Sequence, residues 1–179
     1  GLSLKKNHRI IKKTLLHKGF YELYQYTLKH KKHDGTWSKL ITREIFGGGH
    51  VATVLPYDPK KKRIILIDQF RPSLVEKKHS PIIKEIVAGL IDRGESPEEA
   101  AIRECKEETG CVVNNLKKIF SYYAAPGSSQ SYNHFFLGEV DSFDGERILG
   151  KEDEDEDILI RSYPAQEIKK MLNNGEIIN

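Results

Sequence analysis

Between Gly89 and Cys111 the chain reads Gly-Leu-Ile-Asp-Arg-Gly-Glu-Ser-Pro-Glu-Glu-Ala-Ala-Ile-Arg-Glu-Cys-Lys-Glu-Glu-Thr-Gly-Cys, and no other stretch restricts the possible folds as much. Ser96 followed by Pro97, with Glu99 three residues after the serine, has the form of an N-cap, a proline at the first helical position and a capping box. These signals predict a helix over residues 97–109, with Gly110 as the left-handed residue that stops it. On that helix Glu104, Glu107 and Glu108 stand at offsets of three and four and share one face. Ala100, Ala101 and Cys105, with Ile102 nearby, form the apolar side, so no charge needs burial and the acidic face meets solvent or a cation.

Three carboxylates on one face repel unless something neutralises them. As a bare cluster they are most simply a solvated helix face. Gly89, Glu95, Arg103 and Gly110 at fixed places around them argue for a built site instead. Oxygen-only clusters of this kind suit hard cations such as Mg2+ or Mn2+, which keep several waters and bind substrate phosphates directly.

The pattern of Gly89, five residues, Glu95, seven residues, Arg103-Glu104, an apolar residue, any residue, Glu107-Glu108, any residue, Gly110 and an apolar residue resembles the Nudix box. Cys105 and Cys111 fill the apolar slots as small hydrophobes. The resemblance implies hydrolysis of a nucleoside diphosphate linked to another moiety. It extends, from Phe20 to about Ile177, to the bacterial ADP-ribose pyrophosphatase subfamily. The segments that carry it are Arg43-Glu-Ile-Phe46 with Gly49-His50, Asp68-Gln-Phe-Arg71, Glu85-Ile-Val-Ala-Gly89, Pro126 within Tyr123-Ala-Ala-Pro-Gly-Ser128, and Asp155-Glu-Asp-Ile158.

Residue by residue, the resemblance implies that Glu104, Glu108 and the carbonyl of Ala88 hold Mg2+ (or Mn2+), with Glu107 in the same shell. It makes Arg71 a contact of the diphosphate, places Pro126 and Gly127 in the substrate-binding segment, and sets Phe20 and Arg43 on the two faces of the adenine. It also implies that the catalytic base lies outside the box, at Glu154 with Glu156 two residues later, on a mobile acidic loop that closes over the substrate. Gly89, Glu95, Arg103 and Gly110 are read as structural, because an arginine and a glutamate bracketing the helix can pair. The expected reaction is Mg2+-dependent cleavage of ADP-ribose to AMP and ribose 5-phosphate. GDP-mannose or another nucleoside diphosphate sugar is the alternative substrate, and a non-catalytic nucleotide-binding module the more distant one.

The rest of the chain sets the frame. At 179 residues with 38% hydrophobic content it fits one domain with a small appendage. No apolar run approaches the roughly 18 residues of a membrane span and no secretory signal is visible, so a cytoplasmic enzyme without a membrane partner is expected. The seven histidines and two cysteines make no zinc spacing. Residues 1–46 carry 11 Lys/Arg against 3 Asp/Glu, a charge of +8, which leaves −5 for the remainder. These basic residues are interleaved with aromatic and β-branched positions, which favours a solvated strand face over nucleic-acid binding.

Phe20–His30 and Trp37–Phe46, joined across Asp34-Gly35, predict an antiparallel β-hairpin. Gly47-Gly48-Gly49 then marks the boundary between an appendage, 1–46, and a catalytic domain, 47–179. In the subfamily such an appendage is exchanged in a homodimer. Beyond it, strands are expected over residues 50–56, 63–70, 82–88, 116–123, 133–140 and 158–161, with Pro164 in the first turn of a closing helix that reaches Leu172. The result is an α/β fold, a mixed β-sheet sandwiched between helices.

Overall fold

The computed structural model describes residues 6–179, so the first five residues of the expected appendage lie outside the described residues. Strands β1 (His8–Lys18), β2 (Glu22–His30) and β3 (Ile41–Phe46) form a three-stranded antiparallel sheet in that order. The expected hairpin is β2 with β3, paired Tyr26 to Arg43 and Leu28 to Ile41. Asp34 turns the chain between them by accepting the Thr36 N–H at 2.9 Å, and Gly35 takes a φ of 85° there.

Strand β1 has no period-2 signature, and the structure supplies the reason. Its apolar residues come in adjacent pairs, Ile10-Ile11 and Leu15-Leu16, and its pairing with β2 slips at Ile10/Lys12 and again at Leu15/His17. Each slip resets which face a residue meets, so alternation never becomes visible in the sequence.

The chain divides into two compact units. The first holds the stretch up to Gly49 together with Tyr123–Tyr132; the second holds His50–Tyr122 and Asn133–Asn179. Within the first, the Phe46 N–H donates to Ser128 O (2.7 Å), the Gln130 N–H to Phe46 O (3.1 Å) and the Tyr132 N–H to Gly49 O (3.1 Å). Gly48 is there because a Cβ on it would lie 2.4 Å from the backbone nitrogen of Ser131.

The second unit is built on β4 (His50–Asp58), β5 (Arg63–Phe70), β6 (Ile82–Glu85), β7 (Val87–Leu90), β8 (Asn115–Tyr123), β9 (Tyr132–Glu139), β10 (Glu146–Leu149) and β11 (Ile158–Pro164), with helices α1 (Pro97–Thr109) and α2 (Ala165–Asn173). The strand order is β10-β11-β5-β4-β9-β8. β4 and β5 pair only near their turn, at Tyr57/Ile64 and Asp58/Arg63, and then splay. β6 continues the sheet from β5 and β7 from β4. The single strand expected over 82–88 is therefore two, because each half must pair with a different partner. β9 runs parallel to β4, because the Tyr132 N–H to Gly49 O bond at its start and the Val140 N–H to Tyr57 O bond of 2.9 Å just past its end advance in the same sense along both strands, so the sheet is mixed.

Ala52, Val54, Ile65, Ile67, Ile158 and Ile160 pack with Ala100, Ala101 and Cys105 of α1 in one buried cluster. Leu66 alternates to the opposite face, where it and Met171 of α2 are both buried. The sheet thus lies between the two helices. Pro164 ends β11 and is the N-cap of α2, not a residue of its first turn. Both cysteines are buried and free. Among the described residues no helix is long and apolar enough to cross a membrane.

Candidate active site

Helix α1 begins and ends where its caps require. Ser96 Oγ accepts the Glu99 N–H at 3.0 Å, and Gly110, at φ 75°, donates its N–H to Lys106 O at 2.9 Å. The helix packs on β4 and β7. Two expectations about its faces need correction. Ile102 is not in the core but exposed, while Glu104 and Glu108 are not solvated: both are buried, at 6% and 5% exposure, and only Glu107 is half-buried. For Glu104 the cause is Gly89 of β7. A Cβ on it would stand 2.1 Å from Glu104 Cδ, so the carboxylate occupies the space that a side chain would fill.

Arg103 braces this arrangement. Its Nε and Nη2 grip Glu95 at 2.7 and 2.9 Å, its Nη1 donates to Glu104 at 2.7 Å and Glu107 at 3.1 Å, and Nη2 also reaches the Leu90 carbonyl at 3.2 Å. Glu95 accepts the Asp92 N–H at 3.0 Å as well. The Arg103 guanidinium, followed by that N–H, holds the Glu95 carboxyl down at about 2. A lysine cannot reproduce a two-pronged grip. Arg103→Lys is therefore expected to cost about 2 kcal/mol in urea unfolding, in line with losing charged hydrogen bonds at a part-buried site. An unchanged urea midpoint would reject the bracing role.

Glu108 is the unsatisfied member. Its Oε2 is buried with no hydrogen-bond partner. Burial, then the charges of Glu104 and Glu156, push its carboxyl up to about 8, against a smaller opposing effect of the Ala88 N–H. Burial also raises Glu104, and burial with the neighbouring Glu154 carboxyl raises Glu156. Three carboxylates that resist ionisation together fit a hard cation, whose charge would reverse each shift. Among the described residues no three acidic, histidine or cysteine groups enclose an ion as they stand. Positive side chains instead engage the acidic oxygens: Arg103 on Glu104 and Glu107, and Lys151 Nζ on Glu107 at 2.9 Å and Glu154 at 3.5 Å.

Arg71, at the end of β5, donates from Nε to Glu85 of β6 at 2.7 Å. The remaining candidates lie in the first unit. Phe20 is 88% exposed with Tyr21 edge-on at 4.9 Å, Arg43 donates to the Thr42 carbonyl at 2.9 Å, and Pro126 and Gly127 sit in the turn that Ser128 closes onto Ala125 O at 3.1 Å.

The model of the NUDIX domain matches residues 49–178, well over half of the chain and all of α1 with its flanking strands. The chain belongs to the NUDIX domain family. ADP-ribose pyrophosphatase of Escherichia coli (strain K12) is 35% identical over 175 residues, 98% of this chain and 84% of that protein. GDP-mannose pyrophosphatase of Pectobacterium atrosepticum is 37% identical over 169 residues, covering 94% and 86%. A solved ADP compounds hydrolase superposes with a TM-score of 0.69 at 22% identity, over 97% of this chain and 86% of that one, which shows the shared fold.

Within this Nudix unit the structure brings Ala88, Gly89, Glu95, Arg103, Glu104, Glu107, Glu108, Glu154 and Glu156 together. Sequence reasoning missed Glu85 as the partner of Arg71 and Lys151 as the partner of Glu107 and Glu154. A signal for Lys151 existed, since it is the one cation immediately before six consecutive acids, Glu152 to Asp157.

Proposed function

We propose that this Nudix chain cleaves the diphosphate linkage of ADP-ribose to AMP and ribose 5-phosphate. The observation that carries the reading is the unpartnered, buried Glu108 Oε2 beside Glu104, seated over Gly89 at the end of β7. Glu104, Glu108 and the Ala88 carbonyl would hold Mg2+, or Mn2+ in its place, with Glu107 beside them. When bound, the cation supplies Lewis-acid polarisation of diphosphate oxygens and a lowered pKa for its water. Glu154 accepts the proton of the attacking water, the new P–O bond forms as the bridging P–O bond breaks, and Arg71 neutralises the diphosphate. Phe20 and Arg43 take the two faces of the base.

The name of the Escherichia coli relative and the segments shared with its subfamily support ADP-ribose as substrate. A homodimer that exchanges the N-terminal strands belongs to the same reading. Its support is the exposure of Ile10, Ile11, Leu15 and Leu16 along β1 and of Phe20 just beyond it. Two free, buried thiols suit a cytoplasmic setting.

A second reading, GDP-mannose hydrolysis, is favoured by the relative from Pectobacterium atrosepticum, whose identity of 37% is comparable with the 35% of the Escherichia coli relative. A panel of ADP-ribose, GDP-mannose and a dinucleotide polyphosphate, assayed with Mg2+, separates the two. The expected result is a kcat/KM for ADP-ribose at least about tenfold above the others, a difference of about 1.4 kcal/mol in transition-state binding. A tenfold preference for GDP-mannose would replace the substrate. No Mg2+-dependent turnover of any member would leave only a binding module.

A further inference from the structure

We propose that Lys151 is a positioning residue that docks the acidic loop onto the catalytic helix before any divalent cation binds. The inference rests on the hydrolase reading for the role of Glu154, but the docking itself is a property of the protein alone.

Lys151 joins the two acidic elements in both its backbone and its side chain. Its carbonyl accepts the N–H groups of Glu154 at 3.0 Å and Glu156 at 3.1 Å, and its own N–H donates to Glu156 Oε2 at 3.4 Å, which closes Lys151–Glu156 into a ring. Gly150 permits that closure. Its φ of 141° is a glycine conformation, and a Cβ there would stand 2.2 Å from Glu156 O. The Lys151 ammonium then leaves the ring and reaches Glu107 on α1 at 2.9 Å, with Glu154 at 3.5 Å.

Charge makes this contact decisive. The loop carries six consecutive acids and faces a helix that presents Glu104, Glu107 and Glu108. Arg103 is shared among Glu95, Glu104, Glu107 and the Leu90 carbonyl, and among the described residues it forms no ion pair with the loop. Among the described residues Lys151 is the cation paired with both elements. Its side chain is 29% exposed, where attraction is screened less than at a free surface. Without it the two acidic elements repel and the loop swings out. With it, Glu154 is held beside Glu107 of the catalytic helix through one shared ammonium.

The test is hydrogen exchange of the loop amides in protein stripped with EDTA, with and without added Mn2+, for the native chain, Lys151→Met and Lys151→Arg. The native loop is expected to be protected in EDTA. In Lys151→Met the amides of Glu154 and Glu156 should exchange about tenfold faster or more, and protection should return only as Mn2+ is titrated in. Lys151→Arg should restore cation-independent protection, which a merely structural role of the lysine stem would not require. Amides within α1 serve as the folding control in the same data. In turnover, Lys151→Met should lower kcat more than it raises KM. Equal loop exchange in EDTA for the native and Lys151→Met proteins would overturn the proposal, as would native protection that appears only with Mn2+. Because these measurements use no substrate, they can fail while the hydrolase reading stands, and the substrate panel can fail while the docking stands.

Discussion

Glu154→Gln is expected to lower kcat for ADP-ribose about 100- to 10,000-fold with little change in KM or unfolding midpoint. The size follows from removing a general base while keeping the shape of its side chain. The assignment follows from contrast among the acids. Glu104, Glu107 and Arg103 are joined in a network on α1, and Glu108 is buried against Ala88, so these carboxylates are fixed in place and suited to hold a cation. Glu154 is half exposed, on a single helical turn formed by Glu152–Glu154, and shares Lys151 with Glu107, so it combines fuller access to water than Glu156 with proximity to the cluster. Steady-state kinetics with Mg2+ saturating decide the matter. Near-native turnover in Glu154→Gln, with a large loss in Glu156→Gln, would move the base two residues along the loop.

Gly89→Ala should be almost as damaging through geometry alone. The added methyl would stand 2.1 Å from Glu104 Cδ and 2.4 Å from its Oε1, far inside contact distance. Backbone strain is not involved, so the fold should survive with its far-ultraviolet dichroism intact. The Glu104 carboxylate has to leave its seat, and it carries a proposed cation ligand with it. A displacement of about 1 Å at such a group costs roughly 100-fold in rate. The expected result is a kcat reduced at least about 100-fold together with weaker Mn2+ binding by titration calorimetry. Native Mn2+ affinity and turnover would show that Glu104 does not need that position.

Much of the fold was legible because its signals are local. Pro97–Thr109 emerged with both ends correct, since Ser96, Pro97, Glu99 and Gly110 act within one or two turns of the backbone they cap. Strand β2, with its alternating Tyr24, Tyr26 and Leu28, and strand β5, with its short apolar run Ile64–Ile67, were readable for the same reason. Strand β1 was not, because its two register slips are set by pairing with β2. Strand β10 (Glu146–Leu149), flanked by acidic and glycine-rich sequence, forms only because β11 offers an edge to pair with. The split of 82–88 into β6 and β7 likewise depends on β4 and β5 parting after their turn, which no residue within the segment announces.

The site divides along the same line. By itself the sequence determined which residues share the acidic face, where that helix starts and stops, and that a glycine, an arginine and a second acidic run accompany it. Those are consequences of helical spacing and capping, which act over a few residues. Only the tertiary structure decided that Glu104 and Glu108 are buried, that Glu108 Oε2 is left without a partner, and that Lys151 spans from the loop to Glu107. Burial depends on which strand lies beneath the helix, and here that strand presents Gly89. Once that glycine lets a carboxylate sink against the sheet, desolvation and like-charge repulsion set these carboxylates apart from an ordinary solvated helix face.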